Sequence, residues 1–199
     1  MDHYSTINKT ASAEFKDRGS KFIAYAYPLA DADCFKKYLQ ALKKEHAKAV
    51  HHCFAYRLGV TGDNFRASDD GEPSGTAGKP ILGQIDNKKL TDTAIIVVRY
   101  FGGTLLGTPG LINAYKTATS LVLQMVPVMQ KQIIIAYSIE FNYTRMNDVM
   151  QVIKHYNCTI VANEIQLFPV IQIGIPQSRL GEVLYKLKEI RNVEVKRLL

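Results

Sequence analysis

The chain has 199 residues, of which 47% are hydrophobic and 22% charged, with a formal net charge of +7. That is enough sequence for one large or two small cores, and no apolar run approaches the roughly 20 residues that span a bilayer. The start, MDHYSTINKTASAEF, lacks the basic and apolar stretches of a signal peptide. Cys34, Cys53 and Cys158 are odd in number and far apart, which suits reduced thiols in a cytoplasm better than a disulfide framework. The positive charge is spread along the chain without a basic tail. It favours nucleic acid, ribosomes or other anionic surfaces as partners, or serves solubility alone.

Ser20 to Pro28 reads as a strand, and Asp31 or Asp33 can cap a helix running to about Lys48, with Phe35, Leu39, Leu42 and His46 at helical spacing. Cys53 to Val60 is the next strand. The turn Thr61-Gly62-Asp63-Asn64 leads to Phe65–Ser68 as its hairpin partner. Pro80 to Ile85 falls in a short helix. Thr93 to Tyr100, an unbroken β-branched run, has the character of a strand buried on both faces. Thr104 to Gly110 reads as a glycine-broken loop before a long helix with Leu111, Tyr115, Ala118, Val122 and Met125 on one stripe.

Pro127 marks a boundary, placing one domain at 1–130 and another at 131–199. Ile133 to Phe141 is a strand. Thr144 can cap a helix carrying Met146, Val149, Met150 and Ile153. Cys158–Leu167 and Val170–Ile175 are two strands joined tightly through Phe168-Pro169. A helix with Leu180, Val183, Leu184 and Leu187 follows, and Val193–Val195 closes. The order βαββαβ predicts a ferredoxin-like antiparallel sheet with both helices on one face, and the fold class is α+β.

Two segments concentrate residues suited to chemistry. Ser68 to Pro80 holds Asp69, Asp70, Gly71, Glu72, Gly75, Thr76, Gly78 and Lys79, a composition too polar for a core element. Its glycines allow close backbone approach, and exposed N–H groups would form an anion nest. Asp69, Asp70 and Glu72 are candidate Mg²⁺ ligands. The plain structural alternative is a tight loop whose acids cap a helix beginning near Ser74. A Walker A loop is excluded, because Pro73 and Pro80 stand where a glycine and a hydroxyl are required. The second segment follows the buried strand, with Arg99, Tyr100, Phe101, Gly102, Gly103 and Gly107 ahead of a helix N-terminus, a geometry that suits anions. Arg99 either stands at a site mouth or pairs with Asp69 or Asp70. Of His51, His52 and Cys53, at most two can share a site, since neighbours on a strand face opposite ways. A packed thiol and a hydrogen-bonded histidine is the plain reading there.

AVHHCFAYRLG (Ala49–Gly59), SDDGEPSGTAGKPIL (Ser68–Leu82) and VVRYFGGTLLGTPGLINAY (Val97–Tyr115) resemble the Impact/YigZ family, and SKFIAYAYPLAD fits its opening. The resemblance covers nearly the whole chain. It implies an N-terminal domain like the second domain of ribosomal protein S-five and a ferredoxin-like C-terminal domain. Eukaryotic members are translation regulators with an additional N-terminal RWD domain. This chain resembles the shorter bacterial type, which lacks it. The family motif maps onto Asp69, Asp70, Gly71, Glu72, Gly75, Thr76, Gly78 and Lys79, with Arg99, Tyr100, Gly102, Gly103 and Gly107 in the second loop; it implies no catalytic role for any of them.

The functional expectation is a cytoplasmic, translation-associated binding protein contacting RNA or the ribosome. In it, Lys79 and Arg99 meet phosphate while Tyr100 and Phe101 stack on bases. No cofactor and no membrane are expected. The alternative is a Mg²⁺-assisted hydrolase or phosphoryl-transfer enzyme using the Asp-Asp-Gly-Glu loop, and an adaptor binding a basic protein partner is a third option.

Overall fold

A computed structural model describes residues 2–164 and 169–198. It is a mixed α and β structure whose chain divides into two compact units, Tyr4–Lys131 and Gln132–Leu199 together with Met1–His3.

The first unit is built on a five-stranded sheet: β2 (Ala11–Asp17), β3 (Ser20–Pro28), β4 (His51–Leu58), β5 (Asn64–Ser68) and β6 (Thr93–Tyr100). The spatial order is β2-β3-β6-β4-β5, with every neighbouring pair antiparallel. The β-branched run of β6 takes the centre because only a doubly covered strand can bury side chains on both faces, and Thr93 to Arg99 are all buried. Helix α1 (Ala32–Glu45) covers one face, with Phe35, Leu42, Phe54, Tyr56, Ala94 and Ile96 in the core beneath it. Helices α2 (Gly78–Asn87) and α3 (Gly107–Met125) cover the other, over Phe22, Cys53, Ala55, Ile95 and Val97.

Several local expectations are corrected. Asp31, not Asp33, caps α1 by accepting from Cys34 N at 2.7 Å, and the helix stops at Glu45. The strand read from Cys53 begins at His51 and ends at Leu58. Pro80–Ile85 does fall in a short helix, which spans Gly78–Asn87. Thr104–Gly110 is loop only as far as Leu106, because α3 starts at Gly107. Met125 ends that helix exposed instead of closing the apolar stripe. β1 (His3–Ile7) and β7 (Val128–Gln132) form a two-stranded sheet. These two strands and β2 are absent from the sequence reading: β7 is exposed throughout, whereas β2 has the alternation of a half-buried strand and pairs with β3 across the Arg18-Gly19 turn.

The second unit runs β8 (Ile134–Phe141), α4 (Met146–His155), β9 (Thr159–Glu164), β10 (Val170–Pro176), α5 (Leu180–Glu189) and β11 (Val193–Arg197). Its four strands lie in the order β11-β8-β10-β9, all neighbours antiparallel. Ile139, Ile171, Ile173 and Ile175 pack with Val149, Ile153, Val183 and Leu187 of the two helices. Thr144 does not cap α4. The side chain of Asn142 accepts from Thr144 N, and a short 3-10 turn, Tyr143–Arg145, leads into the helix. The strand read as Cys158–Leu167 is described as Thr159–Glu164, and its last residues, with Phe168 of the tight join, lie outside the described residues. Among the described residues no helix is long and apolar enough to cross a membrane.

Candidate functional site

Antiparallel pairing brings the chemistry to one end of the five-stranded sheet. Register sets Lys21 opposite Tyr100 and His51 opposite Arg99, so the start of β3, the start of β4 and the end of β6 share an edge. The two glycine segments leave the sheet at this same edge, since β5 ends at Ser68 beside Phe54 and β6 ends at Tyr100.

Ser68 to Gly78 folds back on itself around Asp69. Its carboxylate accepts from Gly75 N at 2.8 Å, Ala77 N at 2.9 Å and Gly78 N at 2.8 Å. The N–H groups expected to form an anion nest are therefore occupied by the chain's own carboxylate, which caps α2 from eight or nine residues away. Burial alone would raise the Asp69 pKa, but the three backbone donors outweigh it and hold the group below the usual carboxylate range. The reading in which an acid caps a helix here describes the geometry better than the nest does, with α2 starting at Gly78 rather than near Ser74. Glycine is required at Gly78, where a Cβ would come within 2.6 Å of Ser68 N. Gly71 and Gly75 turn the loop through positive φ, as does Asp70. Thr76 is buried and donates to Pro73 O at 2.7 Å.

The second segment is joined to the first through a buried ion pair. Arg99 is 5% exposed, and its Nη1 donates to Glu72 Oε1 at 2.6 Å. The sequence alone leaves Arg99 either paired with Asp69 or Asp70 or standing at a site mouth; the structure pairs it with Glu72 instead. Asp69 is committed to its backbone donors, and Asp70 lies on the α1 side, where it accepts from His52 N at 2.7 Å and meets Lys43 Nζ at 3.5 Å. The guanidinium lies between the rings of Phe22 at 5.3 Å and Phe101 at 5.7 Å. Its Nη2 donates to Ser20 Oγ at 3.4 Å, which also accepts from Gly102 N at 3.2 Å. Gly102 is pressed on the neighbouring strand turn: a Cβ there would lie 1.9 Å from the Gly19 carbonyl carbon.

Residues outside the two glycine segments complete this cluster. The Tyr115 hydroxyl of α3 donates to Glu72 Oε1 at 2.7 Å. Cys53 Sγ lies 3.2 Å from the Tyr115 hydroxyl and 3.0 Å from Asp69 O. Burial pushes the Cys53 thiol up and the Tyr115 phenol further up, so both stay protonated, and the thiol is a packed donor as the plain reading had it. His51 Nδ1 donates to Asp70 O at 2.8 Å, because a carbonyl can only accept, and Nε2 faces Glu72 Oε1 at 3.9 Å. Tyr115 belongs to the apolar stripe of α3, and its hydroxyl gives no sequence signal. A half-buried His46 links Tyr25 and Tyr100 on the other face at 2.7 and 2.9 Å, so Tyr100 is anchored through its hydroxyl.

The three acids thus reach three different sets of donors. Among the described residues no group of three or more His, Cys, Asp or Glu side chains is arranged to hold a metal ion. Facing solvent at this end are Lys79, Phe101 (47% exposed), Gly103, Gly107 and Leu105 (82% exposed). Gly103 and Gly107 both have positive φ, and α3 begins at Gly107 without a side-chain cap.

The Impact N-terminal domain family matches residues 18–123. The chain is 30% identical over 172 residues to the Escherichia coli protein called IMPACT family member YigZ, covering 85% of this chain and 84% of that protein. It is 34% identical over 149 residues to IMPACT family member YvyE of Bacillus subtilis, covering 75% and 69%. A solved structure titled "Crystal structure of an hypothetical protein" is 26% identical, covers 100% of this chain and 98% of its own, and superposes with a TM-score of 0.79.

Proposed function

This chain belongs to the Impact family, and we propose that it is a cytoplasmic, translation-associated binding protein whose ligand is RNA or a ribosomal surface. The reading takes the five-stranded unit as ribosomal protein S-five domain 2-like. It takes the βαββαβ unit, with strand order β11-β8-β10-β9, as ferredoxin-like. The observation that carries it is the division of labour at the sheet end. Asp69, Glu72 and Arg99 are spent on tying the two glycine segments together, while Lys79 and Phe101 stand outside the tie. Lys79 supplies a cation for phosphate and Phe101 an aromatic face for a base, presented on a rigid frame. Arg99 acts here by fixing Phe101 rather than by touching phosphate. The net charge of +7 supports an anionic partner.

Filter binding of RNA across a salt series tests this reading. Affinity should fall as salt rises, Lys79→Gln should lower the slope of log K against log salt by about 0.7 to 0.9, and Phe101→Ser should weaken binding about tenfold. Binding that is flat in salt, or absent for RNA and ribosomes alike, refutes it.

A further inference from the structure

One margin of the five-stranded sheet is left bare. β5 is the last strand in the order β2-β3-β6-β4-β5, and its residues Asn64, Phe65, Arg66 and Ala67 are all exposed. In an antiparallel pair, alternate residues direct both backbone N–H and C=O away from the partner strand. Among the described residues no backbone hydrogen bond outside the β4 ladder engages Asn64 to Ala67. The devices that usually blunt such an edge are few here. β5 contains no proline, and its register with β4 runs from Asn64 to Ser68 without a shift. The β2 margin differs, since Ala11, Ala13 and Phe15 pack against the core beneath α3.

Register assigns the β5 side chains to two faces. Arg66 stands opposite Tyr56, a core residue under α1, and its guanidinium lies 5.8 Å from the Phe54 ring centroid. Phe65 and Ala67 stand opposite Arg57 and Ala55 on the α2 face. Phe65 is 53% exposed, with the Arg57 guanidinium 4.8 Å from its ring centroid. Arg57 is paired with Asp86, whereas Arg66 has no carboxylate partner among the described residues. A strand added at this edge therefore meets a free cation on one face and Phe65 and Ala67 on the other. Its residue opposite Arg66 would lie about 5 Å away at Cβ, and the residues before and after would fall against Phe65 and Ala67.

We propose that β5 accepts an extended segment of a partner protein as a sixth strand, with one acidic residue of that segment set between two apolar ones. The acid meets Arg66, the apolar pair meets Phe65 and Ala67, and backbone hydrogen bonds hold the segment in line. A second copy of this chain fits less well. Twofold antiparallel pairing about the middle of β5 places Arg66 against Arg66, and like charges directly opposite are destabilising. The net charge of +7 adds to that repulsion and favours an acidic segment. RNA has no alternating N–H and C=O groups with which to complete a ladder. This partner is additional to the RNA reading above and does not depend on Lys79 or Phe101.

The test uses the full chain and a fluorescent peptide, Ser-Thr-Val-Glu-Val-Thr-Ser, followed by anisotropy. Binding should be saturable, and replacing Glu by Lys in the peptide should weaken it about fivefold. Arg66→Glu, a change at an exposed side chain, should reverse that preference, so that the variant binds the Lys peptide better than the Glu peptide. N-methylation of alternate peptide residues separates strand addition from charge. One alternate set should abolish binding and the other leave it intact, because only every second N–H faces β5. Excess single-stranded RNA should leave the peptide bound. The proposal is overturned if both methylated sets bind alike, if Arg66→Glu keeps the original preference, or if neither peptide binds. Displacement by RNA assigns the edge to nucleic acid and overturns it too. So does a dimer of the chain, seen by sedimentation and lost in Ala67→Pro, which assigns the edge to a second copy.

Discussion

Removing the charge of Glu72 while keeping its shape should be one of the most damaging conservative changes in the first unit. Glu72 and Arg99 have side chains only 3% and 6% exposed, and their 2.6 Å contact is the link between the two glycine segments. Glu72→Gln leaves the guanidinium buried with its Nε already unpartnered and, among the described residues, no second carboxylate within ion-pair distance. Breaking one side of such a pair costs about 3–5 kcal/mol. For a cooperative unit of this size, with a few degrees lost per kcal/mol, that lowers the melting temperature by about 10–15 °C. The paired replacement Glu72→Leu/Arg99→Met removes both charges together and should recover most of the loss, since desolvation no longer opposes folding. Urea titrations of the unmodified chain, Glu72→Leu, Arg99→Met and the double variant give the coupling directly. If Glu72→Gln lies within about 1 kcal/mol of the unmodified chain, or the double variant is as unstable as the sum of the singles, the buried-pair argument is wrong.

The Asp69 carboxylate serves three backbone donors, so Asp69→Ala should cost about 2 kcal/mol by urea titration. Because Asp69 is held below its ordinary range, its stabilisation is complete above about pH 3.9 and is lost as pH falls below that. An Asp69→Ala profile that parallels the unmodified chain through this window would remove Asp69 from acid unfolding. His52 is held below the imidazole range by burial first, with Lys43 and His46 adding to it against the pull of Asp70. The unfolded chain therefore takes up this proton more readily, so stability is full above about pH 6.5 and declines as pH falls below it. His52→Leu should flatten the melting-temperature profile between pH 7 and 5, and identical slopes in both proteins would contradict the assignment. Gly102→Ala should cost more than about 2 kcal/mol, because the added carbon collides with the backbone at Gly19. Gly75→Ala has open space and should cost only about 1 kcal/mol from its positive φ. Equal costs in thermal melts would show that close approach is not what Gly102 provides.

The Impact-family motifs and the two polar segments are legible in the order of residues, because their glycines, prolines and acids break helix and strand periodicity; that Glu72, Thr76, Ala77 and Gly78 are nevertheless buried is not. Legible too are β6, α1 and the βαββαβ rhythm, where apolar spacing repeats at the period of the element it builds. Strands β1 and β7 are not, since they pair with each other across most of the first unit and not by their own alternation; β2 alternates and pairs with β3 across the Arg18-Gly19 turn, a local signal that the sequence reading passes over. The carboxylate that meets Arg99 was also beyond the sequence. Asp69, Asp70 and Glu72 are equivalent by composition, and the folded loop sends the first to the α2 N-terminus, the second to the α1 side of the sheet and the third under the β6 end. The Tyr115 hydroxyl is hidden within an apolar stripe until α3 is laid across the sheet. The sequence by itself determined which residues would be polar, turning or buried, because those are local properties of side chain and backbone. Only the tertiary structure decided which charge meets which, because a hydrogen bond depends on ångström positions fixed by strand register and helix packing.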